Sequence, residues 1–238
     1  MLDRRSALAA LLAASPLALA ACGSEAGAPQ DAPPAAAVET VQTTPDVTDA
    51  PAAPDLDEPE ERDAAAMIGD IPAGEYALED THAYITFSYS HLGLSRPILR
   101  FDEWDAAATL AEDPAASSVT VTIDPASINS GIERFDEHLV GGDMFDVAAH
   151  PEITFASTSV DLAKGTLTGD LTMKGITKPV TLDVTLNGAG AHPRSGTPAF
   201  GISATGTLDR SDWDLGYAAP AVGTEVDLRI EAEFLRAE

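Results

Sequence analysis

Apolar and polar residues alternate with a period of two through most of the chain from residue 75 onward. Val119, Val121 and Ile123 alternate with polar residues in this way. Successive side chains of a strand point to opposite faces, so the pattern predicts strands with one apolar and one polar face. The strands are predicted to begin at Tyr76 and to continue at 85–91, 98–101, 119–123, 153–160, 167–173, 180–186, 200–208 and 226–234.

Short turn segments separate these runs. Lys164-Gly165 predicts a tight hairpin. Ile132–Val140 breaks the alternation and predicts a short helix with Phe135 and Leu139 on one side. Consecutive antiparallel strands of even spacing predict an all-β, up-and-down barrel of about eight strands. A barrel of this size holds either a side-chain core or one small ligand.

Four small residues fall on the inward faces of the predicted strands. They are Gly169, Ala204, Gly206 and Ala232. Small inward residues either leave room along the barrel axis or mark tight bends in a packed barrel. The pattern leaves both interpretations open.

Charge and cysteine content exclude several classes of function. The chain has 13 Lys and Arg against 39 Asp and Glu, for a net charge of −26. This balance argues against nucleic-acid binding and against electrostatic adhesion to anionic lipid. The single cysteine excludes an intramolecular disulfide and a cysteine-rich zinc site. The five histidines show no compact metal-binding spacing, so neither a metal nor a cofactor is predicted.

No motif in the chain predicts catalysis. Gly201–Thr205 comes nearest to a nucleophile elbow, but it lacks the second glycine and lies within a predicted strand. No glycine-rich phosphate loop joins a strand to a helix. A protein without catalytic residues is therefore predicted. A hydrolase or isomerase using His91 or His138 is the alternative.

Residues 1–22 have the composition of an export signal. An arginine pair at residues 4–5 precedes an apolar stretch at 7–19, and the segment ends in Leu19-Ala20-Ala21-Cys22. That ending resembles the lipobox of bacterial lipoproteins, which implies that Cys22 is lipidated and holds the protein at the cell envelope, in the periplasm. Gly23 after the cysteine favours the outer membrane by the same resemblance. Export by the general or the twin-arginine route stays open.

Residues 23–70 predict a disordered tether. They contain seven prolines, twelve alanines and twelve acidic residues, with almost no large apolar side chains. Such a segment cannot bury enough surface to offset the entropy of ordering. As a flexible coil it would span about 40 Å. The folded domain is therefore assigned to residues 71–238.

Several segments of that domain, taken together and in their order along the chain, resemble the pattern of a known family. They are Asp80–Gly93, Ser117–Ile123, Ser127–Gly131, Arg134–Val147, Pro151–Thr158, Gly169–Val180 and Asp209–Trp213. In these segments the chain resembles YceI-like domains. The resemblance implies an extended lipocalin-like antiparallel barrel of eight strands with one short helix. It also implies periplasmic binding of a long apolar molecule, such as a polyisoprenoid or an isoprenoid quinone, without catalytic residues.

One stretch departs from the family pattern. Arg96–Phe101 stands where a glycine-containing strand is usual. Pro97 cannot donate to a central ladder, so it is expected at a sheet edge or a strand start.

Inward apolar side chains are the main candidates for ligand contact, with plain core packing as the alternative for each. Arg134 and His91 are candidates for a ligand head group, because a guanidinium suits phosphate. The alternative for Arg134 is a structural network with Asp136 and His138. The candidate contacts are Phe87, Tyr89, Phe101, Phe155, Leu171, Met173, Ile202 and Trp213.

Two functions remain in competition. The first is a lipid-anchored barrel that carries or sequesters an isoprenoid lipid or quinone. The second is a structural or interaction module with a packed barrel. The oligomeric state is left open.

Overall fold

The computed structural model describes Met67, residues 71–161 and residues 163–237. The predicted export signal lies outside the described residues, and so does the tether except for Met67. Among the described residues from 71 onward there is one α-helix, α1 (Glu133–Leu139). Its strands are β1 (Gly74–His91), β2 (Ile98–Phe101), β3 (Trp104–Leu110), β4 (Ser118–Ile123), β5 (Ile128–Asn129), β6 (Ile153–Asp161), β7 (Thr166–Met173), β8 (Ile176–Ala191), β9 (Pro198–Asp209) and β10 (Val222–Arg236).

The ten strands close into an antiparallel barrel of eight strand positions, because two of the positions each hold two short strands. β1 pairs along one edge with β2 and β3, which lie end to end, and these pair with β5 and β4 respectively. The order continues through β6, β7, β8, β9 and β10, and β10 pairs with the other edge of β1. The predicted all-β barrel with one short helix is confirmed.

The barrel has two distinct ends. The helix end carries the β1–β2 turn, α1 and the loop 210–221 between β9 and β10. The opposite end carries the β3–β4 and β8–β9 connections at 111–117 and 192–197.

The strands differ from the sequence prediction at β1, at β3 and at the two-residue β5, for which no strand was predicted. The two predicted strands that begin at Tyr76 and Ile85 form one continuous strand, β1. Residues 80–83 form a bulge within it, opposite the single residue Ala232 of β10. β3 was not predicted, since Ala106 and Ala108 on its buried face give little apolar signal. Pro97 directly precedes β2, at a strand start as expected.

The interior contains two clusters of buried apolar side chains. One cluster fills the helix end and the middle of the barrel and includes Leu99, Phe155 and Trp213. The other fills the opposite end, where the Phe200 ring lies 5.2 Å from Tyr76 and 4.9 Å from Phe234 between centroids.

Neighbouring side chains occupy the space beside two of the small inward residues. A Cβ on Gly169 would lie 2.4 Å from Cζ of Phe155, and one on Gly206 would lie 2.6 Å from Cδ2 of Leu182. Ala204 and Ala232 are buried. The interpretation that glycine leaves room for a ligand is therefore wrong at Gly169 and Gly206, because a ring and a leucine methyl fill that room.

Among the described residues, no helix has the length and apolar character needed to cross a membrane.

Candidate ligand-binding cavity

A cavity of about 340 Å³ lies inside the helix end of the barrel. This volume falls at the lower end of the range for small-molecule pockets. Its lining includes no serine, threonine, cysteine or acidic residue. The lining residues are Phe87, Tyr89, His91, Leu99, Phe101, Phe135, His138, Leu139, Met144, Phe145, Met173, Leu208, Arg210, Leu215, Tyr217, Ala218, Val222, Val226 and Leu228.

The exposed members of the lining locate the mouth of the cavity. They are His91, His138, Tyr217 and Ala218, from the end of β1, from α1 and from the β9–β10 loop. The His138 and Tyr217 rings meet edge to face, with centroids 5.1 Å apart. Polar groups therefore stand at the mouth, and the deeper walls are largely apolar.

A series of aromatic rings forms one wall. The Phe87 and Phe101 ring centroids lie 5.5 Å apart on neighbouring strands, and Phe101 lies 5.8 Å from Phe145. Strand alternation brings Phe87 and Phe101 inward, because Phe87 pairs with Leu99 and Ile85 pairs with Phe101 in register. Aromatic contacts of this kind stabilise a rigid apolar surface.

The helix α1 reaches over the cavity because both of its ends are held. The amide of Ser130 donates to the Asp136 carboxylate at 2.8 Å, which fixes the entry of the chain. Beyond the helix, the amide of Phe145 donates to the Leu139 carbonyl at 3.0 Å. This turn brings Phe135, Leu139 and Phe145 into one lining.

Arg210 is the one guanidinium among the lining residues, and its donors are engaged by backbone carbonyls. Its Nε donates to Gly223 at 2.9 Å, and one terminal nitrogen donates to Tyr217 at 3.0 Å and to Val222 at 2.9 Å. The other terminal nitrogen donates to Leu215. Burial lowers the pKa of Arg210, although nearby Tyr89 and Asp209 oppose that shift. Arg210 thus fixes the mouth loop and has little capacity left for a ligand.

Tyr89 lies in the lining close to Arg210. Burial raises the pKa of the Tyr89 phenol, and the charge of Arg210 partly opposes this effect. The ordinary tyrosine value is already near 10, so the hydroxyl stays protonated at neutral pH. It can therefore donate a hydrogen bond to a ligand acceptor.

Comparison with known proteins identifies the family. Residues 76–234 match the YceI-like domain. The chain belongs to the YceI-like domain family. Protein YceI of Escherichia coli O157:H7 is 38% identical over 170 residues, which cover 69% of this chain and 88% of that protein.

Solved structures of YceI-like proteins share the fold. The Campylobacter jejuni YceI protein superposes with a TM-score of 0.56 at 28% identity, covering 63% of this chain and 90% of that one. A domain of Saccharophagus degradans, described as polyisoprenoid-binding, superposes with a TM-score of 0.53 at 18% identity. The match covers 68% of this chain and 98% of that domain.

The YceI-like barrel brings some of the sequence-predicted residues together and separates others. Phe87, Tyr89, Phe101 and Met173 line the cavity, and His91 stands at its mouth. Phe155, Leu171 and Trp213 are buried in the core outside the lining, and Ile202 borders a depression at the opposite end. Arg134 is exposed and does not belong to the lining. The role of these residues in ligand contact stays a prediction.

Sequence reasoning missed most of the lining. The alternation of apolar and polar residues could have identified Leu208, Val226 and Leu228, since each lies on an inward strand face. No sequence pattern indicated Leu215, Tyr217 or Val222, because they lie in or beside a loop without periodicity. Long-range hydrogen bonds hold that loop against the barrel, those of Arg210 foremost.

A second depression, of about 370 Å³, is more open and more polar and lies at the opposite end. Near it, ligand-type atoms of Glu79, His82 and Glu233 lie within 4.8 Å of one another. His82 Nδ1 lies 2.8 Å from a Glu79 oxygen, and the His82 amide donates to the same oxygen at 3.0 Å. These contacts hold the bulge at 80–83 in place.

Proposed function

We propose that the chain is an envelope protein whose barrel binds a long apolar ligand, an isoprenoid quinone or a polyisoprenoid, for carriage or sequestration. The observation that carries this proposal is the apolar cavity of about 340 Å³ that opens at the helix end. The description of the Saccharophagus degradans domain as polyisoprenoid-binding supports the same ligand class.

Hydrophobic burial alone gives such a ligand ample affinity. Each buried CH₂ contributes about 0.8 kcal/mol, so a five-carbon isoprene unit contributes about 4 kcal/mol before opposing terms. Ordering a flexible prenyl chain offsets part of that gain. A few enclosed units therefore suffice without any charge pair.

The polar groups of the lining favour a quinone over a prenyl phosphate. Arg210 already donates to backbone carbonyls, and Arg134 lies outside the lining. Tyr89, His138 and Tyr217 remain as hydrogen-bonding groups in or near the mouth. Such groups match a neutral carbonyl head group better than a dianionic phosphate, which normally recruits arginine or lysine.

The anchor is part of the same proposal. Lipidation at Cys22 holds the protein to the cell envelope, with the outer membrane favoured, and residues 23–70 connect the anchor to the barrel. Replacing Cys22 by Ser is expected to release the protein from the membrane fraction in cells. Retention of a Cys22→Ser variant in that fraction would contradict lipidation as the anchor.

Native mass spectrometry of the full chain carrying Cys22→Ser, purified without detergent and then extracted with organic solvent, tests the ligand. A stoichiometric apolar adduct is expected, and its mass identifies the ligand class. A mass that stays unliganded after incubation with ubiquinone and with undecaprenyl phosphate would favour the packed interaction module instead.

A matched pair of variants locates the binding site. Leu208→Trp adds an indole to the cavity wall, whereas Leu186→Trp makes the same change on an inward strand position outside the cavity lining. Leu208→Trp is expected to lower ubiquinone loading at least about tenfold, because the indole occupies the volume of several CH₂ groups. Circular dichroism establishes that both variants fold. Equal loading in both would place the ligand elsewhere.

A further inference from the structure

Exposed large apolar side chains concentrate around the mouth of the cavity. Within the described part, Leu94 is 84% exposed and Ile98 is 70% exposed. Clustered exposed apolar groups mark surfaces that contact another apolar phase. Among the residues that the structure describes, five of the six exposed large apolar residues lie at the helix end and are called the apolar rim: Leu92, Leu94, Ile98, Ile132 and Tyr217.

The apolar rim is continuous with the cavity. Tyr217 belongs to both, and its ring contacts that of His138 at the mouth. The Leu92 amide donates to the Ala221 carbonyl at 3.0 Å, so the β1–β2 turn is attached to the loop that Arg210 fixes. A ligand that enters the mouth therefore passes the rim.

The charge around the rim differs from that of the whole domain. Residues 71–238 carry 26 acidic against ten basic residues, yet residues 81–101 and 215–224 contain no acidic residue. Arg96 pairs with Asp227 and Arg100 pairs with Asp102, and each arginine side chain remains about half exposed.

The helix α1 adds three acidic residues next to Ile132, which are Glu133, Asp136 and Glu137. At 3.6 residues per turn, Glu133 and Glu137 lie on the side of α1 opposite Phe135, which faces the cavity. Away from α1, the rim combines apolar side chains with half-exposed arginines, each of which is paired with one carboxylate. The remaining donors of each guanidinium suit lipid phosphates.

The cavity volume relates the apolar rim to the ligand. A pocket near the lower end of the small-molecule range encloses only part of a long prenyl chain, so the remainder must lie outside the mouth. We propose that the apolar rim docks the barrel on the surface of a phospholipid bilayer, where the ligand passes between lipid and cavity without crossing water. This inference rests on the proposed function.

Single-cysteine labelling tests the docking directly. Cys22 is the chain's one cysteine, so the full chain with Cys22→Ser and Leu94→Cys carries one thiol, which is labelled with bimane. Vesicles of phosphatidylcholine and phosphatidylethanolamine are expected to shift the bimane emission to the blue, because the probe enters an apolar phase.

The loop at the opposite end supplies a matched control. Residues 192–197 lack acidic side chains and include Arg194, but they contain no large apolar residue. Bimane at Ser195→Cys, in the same Cys22→Ser chain, is expected to show no shift. Equal shifts at both positions, or none at Leu94→Cys, would overturn the docking.

A second measurement separates docking from ligand binding. Replacing Leu92 and Leu94 by Ser is expected to slow ubiquinone transfer from vesicles at least about tenfold, since two side chains no longer bury apolar area. Loading from ubiquinone dispersed in water is expected to stay unchanged. Unchanged transfer in this variant would overturn the role of the rim.

The outcomes distinguish the two proposals. If the chain with an unmutated rim loads neither ubiquinone nor undecaprenyl phosphate, from vesicles or from dispersion in water, the proposed function fails. If dispersed ubiquinone loads but the Leu94→Cys probe reports no bilayer, only the docking fails. A vesicle-independent blue shift that rises with protein concentration would assign the rim to self-association and would likewise overturn the docking.

Discussion

Arg210 stabilises the mouth of the cavity through backbone carbonyls. Its donors reach Leu215 and Tyr217 in the loop between the last two strands, and Val222 and Gly223 at the start of β10. One side chain thereby supplies donors to four backbone carbonyls. Because that loop forms part of the lining, the cavity's shape depends on a residue that has almost no donor left for a ligand.

Substitution of Arg210 is expected to loosen this loop and to destabilise the fold. Arg210→Met leaves the four carbonyls without their donor and is expected to cost at least about 3 kcal/mol. Arg210→Lys keeps the charge but lacks the planar fork, so it recovers only part of the loss. Urea unfolding gives the stability, and hydrogen exchange of residues 214–223 gives the local effect. Arg194→Met, at an exposed site, is expected to change stability by less than about 0.5 kcal/mol.

Gly169 provides a second test at the residue scale. Gly169→Ala places a Cβ 2.5 Å from the Ala156 carbonyl oxygen as well as against the Phe155 ring. Overpacking of this kind is expected to cost about 1–3 kcal/mol in urea unfolding. Gly188→Ala is the control, because its Cβ meets nothing within 4 Å. At an open site, Gly-to-Ala substitution lowers unfolded-state entropy and is not expected to destabilise the fold. Similar losses for both glycines would therefore show that the space beside Phe155 does not decide the effect.

Asp209 begins the short 3-10 turn Arg210–Trp213, which positions both Arg210 and the buried Trp213. Its carboxylate accepts hydrogen bonds from the Ser211 amide at 2.9 Å and from the Thr224 hydroxyl at 3.1 Å. Hydrogen bonding, from the Ser211 hydroxyl above all, holds the pKa of Asp209 below its ordinary value of 3.8. A carboxyl group with a lowered folded-state pKa stabilises the fold above its unfolded-state pKa and loses that effect as the pH falls through the folded-state value.

The turn is therefore expected to weaken in acid. As the pH falls through the unfolded-state pKa and then the lowered folded-state pKa of Asp209, protonation weakens the hydrogen bonds that its carboxylate accepts, so the urea midpoint should fall between neutral pH and pH 3. Asp209→Asn is expected to lower the midpoint at neutral pH and to reduce its dependence on acid. Asp170→Asn, an exposed strand substitution, serves as the control. An acid dependence that is identical in Asp209→Asn and the parent chain would contradict this role.

At the scale of strands and loops, the sequence predicts the secondary-structure elements better than it predicts which residues line the cavity. Alternation identifies strands whose inward residues are large, and it fails for β3 because Ala106 and Ala108 are small. Inward direction does not distinguish lining from core: Phe155 points inward, but it packs over Gly169. The loop contribution from Tyr217 depends on long-range hydrogen bonds to Arg210, which no local pattern encodes.

Across the whole molecule, net charge opposes compactness. The chain has a net formal charge of −26, and residues 71–238 contain 26 acidic and ten basic residues. Like charges closer than a Debye length repel one another, and that length falls from about 30 Å at 0.01 M salt to about 8 Å at 0.15 M. Self-repulsion therefore destabilises the folded state most at low salt.

Thermal stability is expected to rise with ionic strength. The melting temperature should increase between 0.01 M and 0.15 M sodium chloride and then level off, because screening saturates. Calorimetry or circular dichroism measures this change. Sucrose at matched osmolality provides the control for solvent exclusion. A melting temperature that does not respond to salt would show that local ion pairs offset the repulsion.

The seam between the first and last strands determines when the domain can fold. The Thr86 hydroxyl donates to the Arg229 carbonyl across 143 residues of sequence, and β1 pairs with β10 along most of its length. Until Val222–Arg236 has been synthesised, β1 and β9 each have an edge without a partner. Such non-local pairing makes closure slow. The barrel therefore cannot close on a chain that is still being synthesised until its last strand has been made.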